Sequence, residues 1–167
     1  MTEKEFTEIS LTVGLTFCIS YMLFIVYKLA EDIGIRNVRH PQGLHDAERY
    51  IKETWQAMGY EVNTQAYEVN GVHSANLEIT IPGSHKANEI LVVGAHYDSV
   101  SSGPGANDNG SGVAALLAFS RLFIASSPQR TIRFVAFVNE ESPFFFTSNM
   151  VSMRYAKAGQ RNESYFR

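Results

Sequence analysis

Three short polar segments in the second half of the chain contain residue types that bind metal ions and move protons. They are residues 96–98 (His-Tyr-Asp), 105–112 (Gly-Ala-Asn-Asp-Asn-Gly-Ser-Gly) and 139–141 (Asn-Glu-Glu). Each segment ends or follows an apolar run typical of a buried strand. Because open α/β sheets bind ligands outside the carboxyl ends of their strands, the spacing predicts a metal-hydrolase site at one edge of a sheet.

The residue types in these segments suit zinc ions. Neutral imidazole and carboxylate oxygens are zinc ligands, and one carboxylate has enough lone pairs to bridge two ions. We expect His96 and Asp108 to hold one ion. Asp108 and Glu141 would then hold a second ion roughly 3.5–4 Å away, which is the spacing of two-metal hydrolases.

Glu140 and Asp98 are left over from this ligand set. Where a strand runs into a loop, adjacent side chains can turn toward one cavity. A carboxylate that binds no metal can take a proton from activated water and pass it to a leaving amine, and we expect this role for Glu140. Asp98 follows His96 by two residues on the same side of an extended segment. It is placed to accept the second N–H of the imidazole, which fixes the tautomer.

The three segments resemble the motifs of peptidase family M28, the co-catalytic zinc aminopeptidases and carboxypeptidases. The likeness covers roughly residues 40 to 160, and three motifs in order are far more specific than one alone. It implies that His96, Asp108 and Glu141 bind two zinc ions, with Asp108 as the bridge. It also implies that Glu140 is the general base, that Asp98 orients His96, and that the substrate is a peptide cut near a terminus.

The resemblance also implies ligands that these motifs do not supply. A complete member of the family has a further Asp ligand and a distant His ligand, from segments that would follow residue 167. An open, catalytic zinc site normally keeps three protein ligands. Near the end of the chain only Glu163 offers a carboxylate, in a polar segment without a strand pattern. We therefore expect the N-terminal part of such a domain, and its activity alone is doubtful.

Other functions stay open at this point. A non-catalytic, membrane-attached pseudo-peptidase or an inactive fragment would contain the same motifs, although a binding-only domain has no need of Glu140. Related folds act on non-peptide amides or cyclise N-terminal glutamine with one zinc ion. Nucleotide binding is disfavoured, because the glycine-rich loop lacks the lysine and the spacing of a P-loop.

The segments around the motifs predict an α/β fold. The predicted elements are helices over 43–58 and 110–125, and strands over 60–69, 76–81, 89–95 and 131–138. Asn70-Gly71 predicts a hairpin, and the strand, helix, strand order that follows predicts parallel pairing. We expect a mixed, largely parallel central sheet flanked by helices, like a truncated zinc exopeptidase. The last two strands are dense in branched apolar residues, as strands covered on both faces are.

An uncharged apolar run over residues 9–27 is the second informative feature. It contains nineteen residues between Glu8 and Lys28, close to the roughly 20 that a helix needs to cross a bilayer. The acidic leading residues and the lack of a small-x-small site disfavour a cleaved signal peptide. We expect a single-pass membrane helix that tethers the domain; an amphipathic or wholly buried first helix packed on the catalytic domain is the alternative. We expect residues 1–39 to form a segment separate from a peptidase domain over 40–167.

The side of the membrane is not determined by the sequence. Residues 28–39 are weakly basic, which by the positive-inside rule places the domain in the cytoplasm, whereas most membrane-attached M28 peptidases work outside it.

The charge of the chain argues against one class of partner, and its cysteine content excludes an internal disulfide framework. The net charge is −3 and no cluster of Lys and Arg is present, which argues against nucleic acid as a partner. Cys18 is the single cysteine, so no internal disulfide is possible. The oligomeric state is not predicted. Pro143 and the three phenylalanines that follow it, 144–146, are either an apolar specificity pocket or ordinary core.

Overall fold

The computed structural model describes residues 2–144 and Tyr155. Its helices are α1 (Glu3–Tyr27), α2 (Pro41–Ala57) and α3 (Gly112–Arg121). Its strands are β1 (Asn63–Val69), β2 (Val72–Ile81), β3 (Lys86–His96) and β4 (Arg130–Phe137). Two irregular helical segments complete the order: Lys28–Ile33 continues α1, and Ala106–Ser111 leads into α3. The predicted elements are therefore all present, with ends that differ by a few residues.

The four strands form one mixed sheet with the order β1-β2-β4-β3. Strand β2 pairs antiparallel with both β1 and β4, and β3 pairs parallel with β4. The predicted mixed sheet flanked by helices is confirmed, and β3–β4 is the parallel pair among the described strands.

The hairpin between β1 and β2 turns at Asn70-Gly71, as the sequence predicts. Val69 pairs with Val72, and the two residues between them have positive φ angles of 53° and 76°. A tight type I′ turn requires such angles at both positions. Strand β2 begins at Val72 rather than at 76, because the polar residues after the turn pair directly with the end of β1.

The main core lies on one face of the sheet, under the helices. Leu77, Ile79 and Phe134 are fully buried there, and they share a cluster with Leu44 and Trp55 of α2. The indole of Trp55 donates a hydrogen bond to Ser120 Oγ at 3.0 Å, which joins α2 to α3. The alternating pattern of β2 and β4 thus fixes which side chains face the helices.

Helix α1 is exposed over the described part of its N-terminal half, and its C-terminal half, here called the packed half, contacts the core with one face only, since Leu23, Phe24 and Tyr27 are exposed. Leu11, Val13 and Leu15 are exposed, whereas Ile25 is fully buried in the main core, as is Leu29 just after the helix. By length and composition, Ser10–Ile33 could cross a membrane, with a mean hydropathy of 1.8. The boundary at residue 39 stays a prediction, and the core contains side chains from both sides of it.

Strand β3 is an edge strand of the described sheet. Ile90, Leu91 and Val92 are 44–51% exposed, although their composition predicts a strand covered on both faces. The difference arises because, among residues 2–144 and Tyr155, β3 pairs with β4 alone.

Candidate metal centre

The parallel pairing of β3 and β4 brings two of the predicted segments to one edge of the sheet. His96 ends β3 and is paired in register with Phe137 at the end of β4. Glu140 and Glu141 follow β4 directly, so the chain delivers them beside the imidazole. The irregular segment before α3 adds Asp108 from the same side.

His96 is at the centre of the cluster. Its Nε2 lies 3.0 Å from Asp108 Oδ1 and 3.6 Å from Glu140 Oε2. Ligand atoms of His96, Glu140 and Glu141 all lie within 4.8 Å of one another. The structure therefore brings together the four side chains that the sequence singled out as ligands and base.

Asp98 is fully buried next to this cluster and contacts both strand ends. Its Oδ1 is 3.5 Å from His96 Nδ1, while its backbone carbonyl is 3.3 Å from the same nitrogen. The carboxylate also accepts hydrogen bonds from the backbone N–H groups of Glu140, at 3.2 Å, and Glu141, at 3.0 Å. Asp98 thus fixes the position of the imidazole and of the adjacent glutamates.

The loop that presents Asp108 depends on a glycine. Gly105 has a φ of 57°, and a Cβ there would lie 2.4 Å from the carbonyl oxygen of Asp108. Only glycine permits this close turn without strain. The peptide bond between Asp108 and Asn109 is cis. The side chain of Asp108 is 74% exposed, so its carboxylate is open to solvent on one side and faces His96 on the other.

Charges within the cluster shift two pKa values. Burial lowers the pKa of His96, but the hydrogen bond and charge of Asp98, with the charges of Glu140 and Asp108, outweigh it and raise the pKa to about 9. Burial raises the pKa of Glu141, and the charge of Asp108 adds to this rise. Crowded carboxylates around an imidazole are an arrangement that a cation stabilises.

The donor set fits a bound zinc ion. Oε1 of Glu141 is buried and has no hydrogen-bond partner among residues 2–144 and Tyr155. A buried carboxylate oxygen without a partner is costly, and a metal ion removes that cost. Imidazole and carboxylates are also ligands that zinc accepts.

A small recess adjoins the cluster. It is lined in part by Arg39, Asp98, Glu141, Pro143 and Phe144. Phe144 is buried, at 7% exposure. The other two phenylalanines of the predicted specificity pocket, 145 and 146, lie outside the described residues, as does Glu163, so the pocket stays a prediction.

Two features of the site were not predicted from the sequence. One is the bonding of the Asp98 carboxylate to the backbone of the glutamates, because the sequence does not show which strands are neighbours. The other is Arg36, which the sequence presents only as part of a weak basic bias. It is fully buried against the loop over residues 97–105.

Comparison with known protein families shows which family the chain belongs to. The model of the family described as Peptidase family M28 matches residues 76–166. This chain belongs to peptidase family M28. The resemblance predicted from the motifs is thereby confirmed, and the family implies zinc as the metal and a metallopeptidase as the class of enzyme.

Curated relatives extend the comparison. The chain is 33% identical over 141 residues to the uncharacterized protein YfbL of Escherichia coli strain K12, which covers 80% of this chain and 43% of that protein. It is 40% identical over 85 residues to the aminopeptidase YwaD of Bacillus subtilis, covering 51% of this chain and 19% of that enzyme. A vacuolar membrane protease of Candida albicans is 37% identical over 109 residues, covering 61% and 13%. The chain thus spans less than half the length of these M28 relatives.

Solved structures show the same fold. The zinc aminopeptidase of Bacillus subtilis superposes with a TM-score of 0.66 at 15% identity, covering 73% of this chain and 62% of that one. A glutaminyl cyclase of an Acidobacteriales bacterium gives a TM-score of 0.63 at 23% identity, covering 84% and 54%. The M28 fold of this chain is therefore shared by hydrolases and cyclases.

Proposed function

We propose that this M28 domain takes part in zinc-dependent hydrolysis of peptide bonds, as an exopeptidase of the aminopeptidase type. The observation that carries the proposal is the convergence of His96, Glu140 and Glu141 within 4.8 Å, around a buried carboxylate oxygen of Glu141 that has no partner in the described part of the chain. The aminopeptidase relative from Bacillus subtilis supports the same activity.

The proposed ligands are His96, Asp108 and Glu141, with Asp108 as the bridge between two zinc ions. This role is supported by the contact of Asp108 Oδ1 with Nε2 of His96 and by the exposure of the rest of the carboxylate. Two zinc sites need more donors than these three residues supply. The complete site therefore needs further ligands, and the activity is proposed for the whole M28 protein.

Zinc, when bound, would polarise the scissile carbonyl and lower the pKa of a water molecule. Glu140 is the proposed general base. Its Oε2 lies 3.6 Å from Nε2 of the proposed ligand His96, and its side chain is 28% exposed, which supports this role. It would take a proton from water and deliver it to the leaving amine. Asp98 would hold His96 and the backbone of Glu140 in place.

We also propose that α1 attaches the protein to a membrane. The exposed apolar half of the helix supports this role, and so does the likeness to a vacuolar membrane protease. Removing residues 2–18 should move the protein from the alkali-resistant membrane fraction to the soluble fraction. A truncated chain that stays in the membrane fraction would contradict the anchor.

The test of the metal centre measures zinc and hydrolysis on the same protein. The chain and the whole M28 protein, both purified in detergent, are loaded with zinc, the metal content of each is determined by mass spectrometry, and leucyl-anilide hydrolysis is followed beside it. The variants are made in the whole protein. Glu140→Gln should keep the zinc of the wild type while any hydrolysis is lost. The matched control is Glu53→Gln, at an exposed position of α2.

Asp108→Ala separates a bridging ligand from an ordinary one. If Asp108 bridges, its loss should remove both ions together. A variant that retains the full zinc content of the wild type would exclude the bridge, and a wild-type whole protein that binds no zinc would contradict the proposed centre.

A further inference from the structure

Arg36 is the most strongly bound side chain near the metal centre that the proposed mechanism does not use. It is fully buried, in the segment that joins α1 to α2. Its guanidinium donates hydrogen bonds to backbone carbonyl oxygens of the N-terminal segment and of the loop that follows β3. These acceptors are Leu29, Gly34, Tyr97, Pro104 and Gly105.

The acceptors in the loop are placed around the proposed ligands. Tyr97 lies between His96 and Asp98, and Nε of Arg36 is 2.6 Å from its carbonyl oxygen. Gly105 begins the turn that presents Asp108, and Nη2 is 2.9 Å from its carbonyl oxygen. The planar guanidinium of Arg36 therefore connects both ends of the loop. One end is next to His96, and the other begins the turn that presents Asp108.

The backbone of the same segment reinforces this link. The N–H of Arg36 donates to Ser99 Oγ at 3.1 Å, and the N–H of Ser99 donates to the carbonyl oxygen of Arg36 at 2.9 Å. The carbonyl of Gly105 also accepts the N–H of Gly110 at 2.9 Å. A Cβ on Gly110 would lie 3.5 Å from Nη2 of Arg36 and 2.9 Å from that carbonyl oxygen. The guanidinium thus fits a closely packed turn.

The charge of Arg36 is retained at neutral pH. Burial lowers the pKa of Arg36 to about 10, and the charge of Asp98 opposes this fall. A charged guanidinium whose three nitrogens all donate to carbonyl oxygens forms stronger hydrogen bonds than a neutral group would. Lysine cannot replace it fully, because a single ammonium group lacks the planar fork that reaches acceptors on several sides.

We propose that Arg36 is a positioning residue of the metal centre, which holds the His96–Asp98 segment and the Asp108 loop in the geometry that binds zinc. The inference rests on the proposed zinc centre. Substituting a residue that only supports the fold would lower the free energy of unfolding. It would not weaken zinc binding more than another substitution that costs the same unfolding free energy. Groups that orient metal ligands typically change metal affinity by about 10–100-fold.

The test compares Arg36→Met with a control arginine on the sheet. Arg133 is half-buried on β4, and its charge partner is Glu78, with Nε 3.7 Å from Oε1. Hydrogen exchange over residues 97–111 is measured on the metal-free chain in detergent, and zinc affinity is measured by chelator competition. The free energy of unfolding is measured for each variant.

Arg36→Met should accelerate exchange over 97–111 and weaken zinc binding at least tenfold, whereas Arg133→Met should do neither at a comparable loss of stability. Arg36→Lys keeps the charge and should show the same two changes to a smaller extent. It serves as the test variant if Arg36→Met does not fold.

Equal exchange and equal zinc affinity in the Arg36 and Arg133 variants would overturn the proposal. If the wild-type chain alone binds no zinc, zinc affinity is measured on the whole M28 protein, and failure to bind zinc there would contradict the proposed function itself. Exchange in the metal-free protein would then decide alone whether Arg36 holds the loop.

Discussion

Asp98 links the imidazole of the candidate metal centre to the two glutamates. Its carboxylate lies beside His96 Nδ1 and accepts the N–H groups of Glu140 and Glu141. An amide in its place would turn a donor toward groups that are themselves donors. The residue therefore affects ligand geometry on both strands at once.

Replacing Asp98 by Asn should weaken zinc binding by about 10–100-fold. The amide keeps one acceptor oxygen, but its NH2 group turns a donor toward either the imidazole and the N–H of Glu140 or the N–H of Glu141. Chelator competition measures this affinity. Asp46→Asn, on the exposed side of α2 beside Arg49, is the control and should bind zinc like the wild type. Equal affinity of the two variants would show that Asp98 does not orient the site.

Zinc binding should release a proton from His96. The pKa of His96 in the metal-free site is about 9, so at pH 7.5 the imidazole is protonated, and a zinc ligand must be neutral. Calorimetry in buffers of different ionisation enthalpy should show about one proton released per His96 at pH 7.5. The release should fall as the pH rises above 9. Its absence in wild-type protein that binds zinc would mean that His96 is already neutral or is not a ligand.

Some side chains of the site could be predicted from the sequence, and others could not. His96, Asp108 and the two glutamates belong to local motifs, and each follows or precedes a strand that the apolar pattern predicts. Arg36 has no such motif. Its partners are backbone carbonyl groups, which every residue possesses, so the sequence contains no complementary residue that would indicate where its side chain binds.

At the scale of elements, α1 combines two environments in one helix. Leu29, at the start of the segment that continues it, is fully buried, whereas Leu15 is 59% exposed. Leu29→Ala should therefore lower the free energy of unfolding by about 2–5 kcal/mol, through lost burial and a cavity. Leu15→Ala, the same change on the exposed half, should alter it by less than about 0.5 kcal/mol.

Denaturant unfolding in detergent measures this pair of variants. A large loss of stability at Leu29 with little effect at Leu15 would show that the continuation of α1 is part of the folded domain in solution. Equal effects of the two substitutions would show that α1 does not pack as described.

The strands and the hairpin were predictable because their signals are local. Asn70-Gly71 specifies the turn, and the apolar runs before His96 and Asn139 specify β3 and β4. The division of α1 into two halves was not predictable in this way. Its sequence is apolar on both halves, and only the tertiary packing of Ile25 and Leu29 distinguishes the part that enters the core.

For the whole molecule, the outer edge of β3 is one of the two unpaired edges of the described sheet, the other being that of β1. Ile90, Leu91 and Val92 are exposed along it, and an exposed apolar edge strand is a site for pairing with another chain. Leu91→Lys should therefore reduce concentration-dependent association of the chain in detergent. Sedimentation velocity over a range of concentrations measures this effect. Leu122→Lys, at an exposed leucine just after α3, is the control. If both variants reduce association equally, the chains do not associate specifically through the edge of β3.

The packed half of α1 limits where a protease could release a folded domain from a membrane. From Tyr21 onward the helix contributes side chains to the core. Arg36 then connects the segment between α1 and α2 to the loop over residues 97–105. A cut N-terminal to Tyr21 would leave these contacts intact and shed a folded protein. A cut between residues 29 and 36 would separate Leu29 from the polypeptide that holds the metal ligands. If α1 is the proposed anchor, its junction with the domain lies inside a continuous helix, and a cleavable linker would have to replace residues before Tyr21.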